Sequence, residues 1–337
     1  MVKGPQASQV EREKLAMLRV LSNAPGAVGS KVIARRLKTE YGIGLSERAV
    51  RYHLQLLDEK GLTRKISRRD GRAITRLGLE ELENAMVADK VGFVIEKIEL
   101  LAYQDTFDPA TASGQIPVNI SFFARDSFPA ALKAMSASFK AGLCVSQLVA
   151  VAEEGQRLGG RLVPEGSTGL ATVCSIVVNG TLLKSGIPMD SRFGGTLQYR
   201  SNKPWRFTDL ITYSGSSLDP SEIFISGRMT SVDEVARKGE GKILANFREI
   251  PAVSLPLASQ LFDQLERAGI NRPVAIGQPG RALCEMAVGL NKVGIVLAGG
   301  LNPVAAAVEA GILVTSRAMS GLVDFKSLVS FWDVYKA

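Results

Sequence analysis

Histidine is nearly absent from this 337-residue chain, and the single one is His53. Beyond that position no imidazole is available for general-base catalysis, for a Ser/His/Asp or Cys/His set, or for ligating a metal. Cysteine is sparse as well. Cys144, Cys174 and Cys284 stand far apart without a CxxC pair, which excludes a disulfide framework and a zinc knuckle. No apolar run is long enough to span a bilayer, and Glu11, Arg12, Glu13 and Lys14 interrupt any signal-peptide pattern, so a cytoplasmic protein without a membrane role is expected. Gly-Lys-Ser/Thr after a glycine loop, the dinucleotide fingerprint and clustered carboxylate pairs are missing too. These absences favour a binding protein over an enzyme, with neither metal nor cofactor.

What is present is positive charge, unevenly placed. The net charge is +8. Residues 1–90 hold 18 Lys and Arg against 11 Asp and Glu, or +7, and residues 91–337 hold 23 against 22, or +1. A basic module joined to a nearly neutral domain points to nucleic acid as the partner of the first piece and to a separate task for the second.

The basic piece has the order of a winged helix-turn-helix over about residues 8–88. The spacing predicts helices at Val10–Asn23 and Ser30–Tyr41, then a recognition helix opened by Ser46 as N-cap and closed at Gly61. Val50, Leu54 and Leu57 share one face of it, which turns Glu47, Arg48, Arg51, Tyr52 and Gln55 outward. Leu62–Ile66 and Arg72–Thr75 flank Asp70-Gly71, a dipeptide suited to a tight hairpin, and form a wing carrying Arg64, Lys65, Arg68, Arg69 and Arg72. A solvated charged hairpin is the plain alternative, but its place directly after an Arg- and Tyr-faced helix argues for contact with double-stranded DNA through Ser46, Glu47, Arg48, Arg51, Tyr52 and the wing cations. Gly78–Val87 reads as a connector helix whose apolar stripe, Leu79, Leu82 and Met86, would contribute to a dimer.

From about residue 91 to 330 the segments mix strand and helix signals, an α/β class with α+β possible. Strands are expected at Val91–Leu101, Val118–Phe123, Val173–Val178, Ile223–Met229, Lys242–Phe247 and Val293–Ala298, and helices at Phe128–Ala141, Leu255–Ala268 and Pro303–Ala310. Asn179-Gly180 is the strongest hairpin signal. Residues 114–143 and 241–270, offset by 127, share eight identities in thirty ungapped positions, among them Asn119/Asn246 and Pro129/Pro256, where composition alone gives roughly two. Two related halves with a cleft between them are implied.

Three small-residue segments could line a ligand site: Thr172-Val173-Cys174-Ser175 with Lys184 and Arg192 downstream, Tyr213 to Pro220, and Leu297-Ala298-Gly299-Gly300-Leu301-Asn302-Pro303. In the third, a strand ends in two glycines before a helix, which would offer backbone N–H groups to a carboxylate or phosphate. Lys184 and Arg192 would supply positive charge, and Cys174 and Ser175 would line the pocket.

Together with the winged helix, Thr172-Val173-Cys174-Ser175, Asn179-Gly180 to Gly186-Ile187-Pro188, Leu218-Asp219-Pro220, Arg248-Glu249-Ile250-Pro251 and Ala298-Gly299-Gly300-Leu301-Asn302-Pro303 resemble the NrpR family. These are transcriptional regulators of nitrogen assimilation in methanogenic archaea, with relatives in bacteria. The resemblance implies a homodimeric repressor on palindromic operators, relieved by 2-oxoglutarate, with an effector-binding and dimerisation domain over 91–330. It implies Cys174 as a ligand contact, with Lys184 and the Gly299-Gly300 turn beside it. Only one effector domain is present, whereas some members carry two. A different small organic acid or amino acid, and an enzyme domain tethered to DNA, are the other readings.

Overall fold

A computed structural model describes residues 5–24, 26–67, 71–84 and 92–336. It divides into two compact units, residues 1–88 and 89–337. Among the described residues no helix is long and apolar enough to cross a membrane.

The first unit runs α1 (Pro5–Ser22), α2 (Ser30–Tyr41), α3 (Glu47–Glu59), β1 (Thr63–Ser67), β2 (Gly71–Ile74) and α4 (Arg76–Asn84). Met17, Leu21, Ile33, Leu37, Val50, Leu54 and Leu57 form its core, each worth about 1.5–3 kcal/mol of burial. Helix α3 begins as its sequence requires, with the Ser46 hydroxyl accepting from the Ala49 N–H at 3.2 Å. β1 and β2 pair antiparallel as the wing, and Val28 adds a bridge to Arg72. In α4, Leu82 packs on the core while Leu77 and Leu79 stay exposed. Met86 of the expected stripe lies outside the described residues, as do Arg68, Arg69 and Asp70 of the wing.

The second unit opens with α5 (Phe93–Gln104), where a strand was expected. Its buried residues, Val94, Ile98, Leu101 and Ala102, recur at helical rather than alternating spacing, which outweighs the β-branched composition. There follow β3 (Gln115–Ala124), α6 (Phe128–Lys140), β4 (Leu148–Glu153), the short hairpin β5 (Arg157–Leu158) and β6 (Arg161–Leu162), β7 (Ser167–Val173), α7 (Ile176–Lys184) and β8 (Asp190–Arg200). Next come β9 (Lys203–Thr212), α8 (Pro220–Ser226) and α9 (Val232–Lys238). The chain ends with β10 (Gly241–Pro251), α10 (Leu255–Arg267), β11 (Ala275–Ile276), β12 (Lys292–Ala298), α11 (Asn302–Glu309), β13 (Val314–Asp324), β14 (Val329–Ser330) and α12 (Phe331–Lys336).

Three expectations are corrected here besides α5. Val173–Val178 is not a strand, since β7 ends at Val173 and α7 begins at Ile176. Ile223–Met229 is not a strand, because Asp219 caps α8 by accepting from Ser221 and Glu222 N–H groups, and Pro220 starts it. Asn179-Gly180 is no hairpin but the middle of α7. A Cβ at position 180 would stand 2.1 Å from Asp105 Oδ2, so that glycine serves a close approach between helix and carboxylate rather than a turn.

The internal repeat becomes a shared architecture. β3-α6-β4-β7-α7-β8 and β10-α10-β11-β12-α11-β13 are two βαββαβ units. The sheets run β13-β3-β7-β4-β14 and β11-β12-β10-β8-β9, all neighbours antiparallel. Each unit therefore gives its fourth strand to the other's sheet: β13 pairs with β3, and β8 pairs with β10. Helix layers mix likewise, α6 against α11 and α7 against α10. Neither half can leave the other without breaking a β-ladder, so residues from both are held together rigidly where they meet.

Candidate functional site

On α3 the outward residues Glu47, Arg48, Arg51, Tyr52 and Gln55 are exposed. Arg51 lies 3.8 Å from Glu47, and Ser30 donates to Glu47 at 3.0 Å. An exposed pair of this kind holds little energy and yields readily to a phosphate or base edge. Arg64 and Lys65 of the wing are also exposed. Arg72 is a correction. Its guanidinium turns inward onto Asp58 at 2.6 Å, where Thr63 also donates, and it fastens the wing to α3 instead of offering charge outward.

In the second unit the two halves meet at a small cavity, about 20 Å³, lined among others by Asn119, Cys174, Ser175, Asn246, Arg248 and Gly300. The walls come from both halves: β3 and the β7–α7 junction of one, β10 and the β12–α11 turn of the other. Gly300 makes the approach possible, since a Cβ there would stand 2.5 Å from both Asn119 Nδ2 and the Val173 carbonyl. The repeated pair Asn119 and Asn246 faces this space. Asn119 Oδ1 accepts from the Met319 N–H at 3.0 Å, and Asn246 accepts from the Tyr213 hydroxyl and donates to Ser175 Oγ at 3.2 Å.

Arg248 dominates the electrostatics. It is 1 % exposed, and its Nη2 donates to Ser175 Oγ at 3.0 Å. Its Nε and Nη1 are buried without a hydrogen-bond partner. Burial pulls its pKa below the ordinary arginine value, yet guanidinium remains charged in proteins. A buried charge with two unmet donors is strongly destabilising unless an anion answers it. Asp219, also in the wall, spends Oδ1 on the two amides that start α8. Cys174 has its thiol pushed up to about 11 by burial, so it is an uncharged contact and not a nucleophile.

Of the residues proposed from sequence, Cys174, Ser175 and Gly300 come together here. The others are employed differently. Lys184 donates to the Phe107 carbonyl at 2.8 Å and lies 3.5 Å from Asp105. Asn302 clamps α11 to β10 through both the N–H and the carbonyl of Leu244. The Gly299 N–H is committed to the Leu244 carbonyl, so the glycine turn is not a double-amide cradle. Arg192 is half exposed, beside Asp190 and Glu249, and lines a larger cavity of about 690 Å³ that shares Ile98 with the small one. Size favours the larger space, but the unanswered buried cation belongs to the smaller one. Arg248 itself was overlooked as a site, although an Arg-Glu pair inside an otherwise apolar strand is an available signal.

A winged helix with a cationic outer face, joined to a second unit that encloses a polar cleft, defines the class of DNA-binding transcriptional regulators with a separate regulatory domain. Residues 91–330 match the family model of NrpR regulatory domains NRD1 and 2, and residues 15–82 match a ribonuclease R winged-helix domain. The chain is 39% identical to the global nitrogen regulator NrpRI of Methanosarcina mazei, covering 95% of this chain and 98% of that protein. It is 33% identical to the global nitrogen regulator NrpR of Methanococcus maripaludis and 32% to that of Methanocaldococcus jannaschii, and it spans about half the length of those two (54% and 55%). A crystal structure of a nitrogen repressor-like protein from Methanococcus jannaschii superposes with a TM-score of 0.60 at 28% identity, over 71% of this chain and 98% of that one. The chain belongs to the NrpR family.

Proposed function

We propose that this protein is a homodimeric repressor of nitrogen-assimilation genes that binds palindromic DNA through α3 and the wing and releases it when 2-oxoglutarate enters the cleft beside Arg248. The relatives named as nitrogen regulators support the gene class. The effector reading is supported chiefly by one observation, the fully buried Arg248 with two unpartnered N–H groups next to Ser175 and Asn246. A carboxylate is a charge-matched acceptor for such a group. The role is regulatory and not catalytic, with no cofactor.

The two halves carry one effector site, not two. In the repeat register, Arg248 corresponds to Ser121, which bonds Ser316 at 2.9 Å. Only one half retains a cation there.

Binding must also deform the cleft, because 20 Å³ accommodates little more than a water molecule. A ligand with different affinity for closed and opened cleft shifts that equilibrium, and DNA affinity shifts with it. The test is fluorescence anisotropy with DNA from a nitrogen-assimilation promoter, titrated with 2-oxoglutarate, on the wild type and on Arg248→Met. Release from the wild type and retention by the variant supports the reading. Specific binding indifferent to 2-oxoglutarate removes the effector, and absence of specific DNA binding removes the regulator.

A further inference from the structure

Helix α5 lines the cleft through Ile98, and the neighbouring Lys97 reaches the backbone of another cleft residue, Ala318. The Lys97 ammonium donates to the carbonyl of Ala318 at 3.3 Å. Ala318 and Met319 are themselves cleft residues. They sit where β13 loses register with β3 between Arg317 and Gly321, and Met319 has φ +51, so this bulge is held by the Asn119 and Glu222 side chains, which accept from the Met319 and Ala318 N–H groups. Lys97 is half-buried and within electrostatic range of Cys174 and Asp219, both in the cleft wall, and of Glu222. Burial and nearby Arg161 pull its pKa below the usual lysine value, a strain that an arriving anion relieves. A neutral carbonyl is a weak partner for a group with three donors.

Two cations on separate elements thus stand at the cleft, Arg248 of β10 in its wall and Lys97 of α5 bonded to the wall residue Ala318. We propose that Lys97 receives the second carboxylate of a dicarboxylate whose first is held by Arg248, Ser175 and Asn246, so that the protein responds to dianions and not to monoanions. This rests on the effector reading above. A monocarboxylate engages Arg248 alone, leaves Lys97 on Ala318 and occupies the cleft without moving α5. Only a ligand that discriminates between the two arrangements shifts their populations.

The experiment is calorimetry on the full chain with 2-oxoglutarate and with 2-oxopentanoate, which replaces the distal carboxylate by a methyl group, paired with DNA release for each. The wild type is expected to prefer 2-oxoglutarate by at least about tenfold. Lys97→Met is expected to lose that preference through weaker 2-oxoglutarate binding, with 2-oxopentanoate affinity changed less than about twofold, and Lys97→Arg is expected to keep it. Should methionine disturb α5, as judged by the thermal midpoint, Lys97→Gln carries the same comparison. A neutral variant that still prefers the dicarboxylate as the wild type does overturns the role of Lys97 and leaves the effector site standing. A wild type that binds neither acid overturns the effector reading and this inference with it.

Discussion

The two halves of residues 89–337 have the same order of strands and helices and exchange their last strands, yet they treat charge in opposite ways. At one position of the repeat the first half places Ser121, satisfied by Ser316 across β13, and the second half places Arg248, with two buried N–H groups unmet. Packed against α7 of the first half is a buried carboxylate, Asp105 at the end of α5, whose Oδ1 accepts from the Phe107 N–H at 2.7 Å and lies 3.5 Å from the Lys184 ammonium, while its Oδ2 is buried without a hydrogen-bond partner. A duplicated scaffold can therefore leave a buried cation unmet in one copy and a buried carboxylate oxygen unmet beside the other. Natural proteins violate polar satisfaction mainly where function requires it.

The sharpest way to break this asymmetry is to make the second half electrically silent. Arg248→Met should lower 2-oxoglutarate affinity by about a hundredfold or more, roughly 3 kcal/mol, while the ligand-free protein gains thermal stability, because an uncompensated buried cation is replaced by an apolar side chain. Calorimetry and thermal unfolding of the same preparation read both effects. A variant that loses stability together with binding would show that Arg248 is a structural group.

Wedging the halves apart comes next. Gly300→Ala places a methyl against the Val173 carbonyl and Asn119 and should destabilise by about 1–3 kcal/mol. Denaturant titration measures it, and an unchanged midpoint would mean that the β12–α11 turn is not held against the first half.

Asp105 tests the first half of the comparison. Burial raises its pKa to about 6, against about 3.9 in the unfolded chain. The folded state then holds a proton that the unfolded state releases, so this group's contribution to stability is complete below about pH 4 and is lost as pH rises through 6, on the order of 3 kcal/mol. Melting curves over that range should fall for the wild type, and Asp105→Asn should remove the slope.

The smallest effect is expected where charge is exposed. Lys65→Ala on the wing should weaken binding to every DNA sequence alike and reduce the salt slope by about one unit. An unaltered slope would place the wing away from the phosphates.

Much of this architecture was written locally. Ser46, the Val50-Leu54-Leu57 stripe and the paired wing strands specify the winged helix because caps, periodicity and turns act over a few residues. The repeat between residues 114–143 and 241–270 announced the duplication and marked Asn119 and Asn246, which meet in the cleft. Local signals failed where a distant partner decided the outcome. Asn179-Gly180 has hairpin chemistry, but packing against Asp105 makes it helix, and Arg72 has the composition of a phosphate contact, but Asp58 draws it inward.

By itself the sequence determined the two-part organisation, the family, the recognition face and the existence of two related halves, since each depends on residue types at short or repeated spacing. Only the tertiary structure decided that the halves exchange strands, and that Cys174 and Ser175 of one stand beside Arg248 of the other. It also sent Lys184, Arg192 and Asn302 elsewhere and bonded Lys97 to the cleft residue Ala318. The reason is physical: whether a charged side chain is spent on the fold or left for a ligand depends on which partners the packed chain brings within hydrogen-bond reach, and those partners lie scores of residues away.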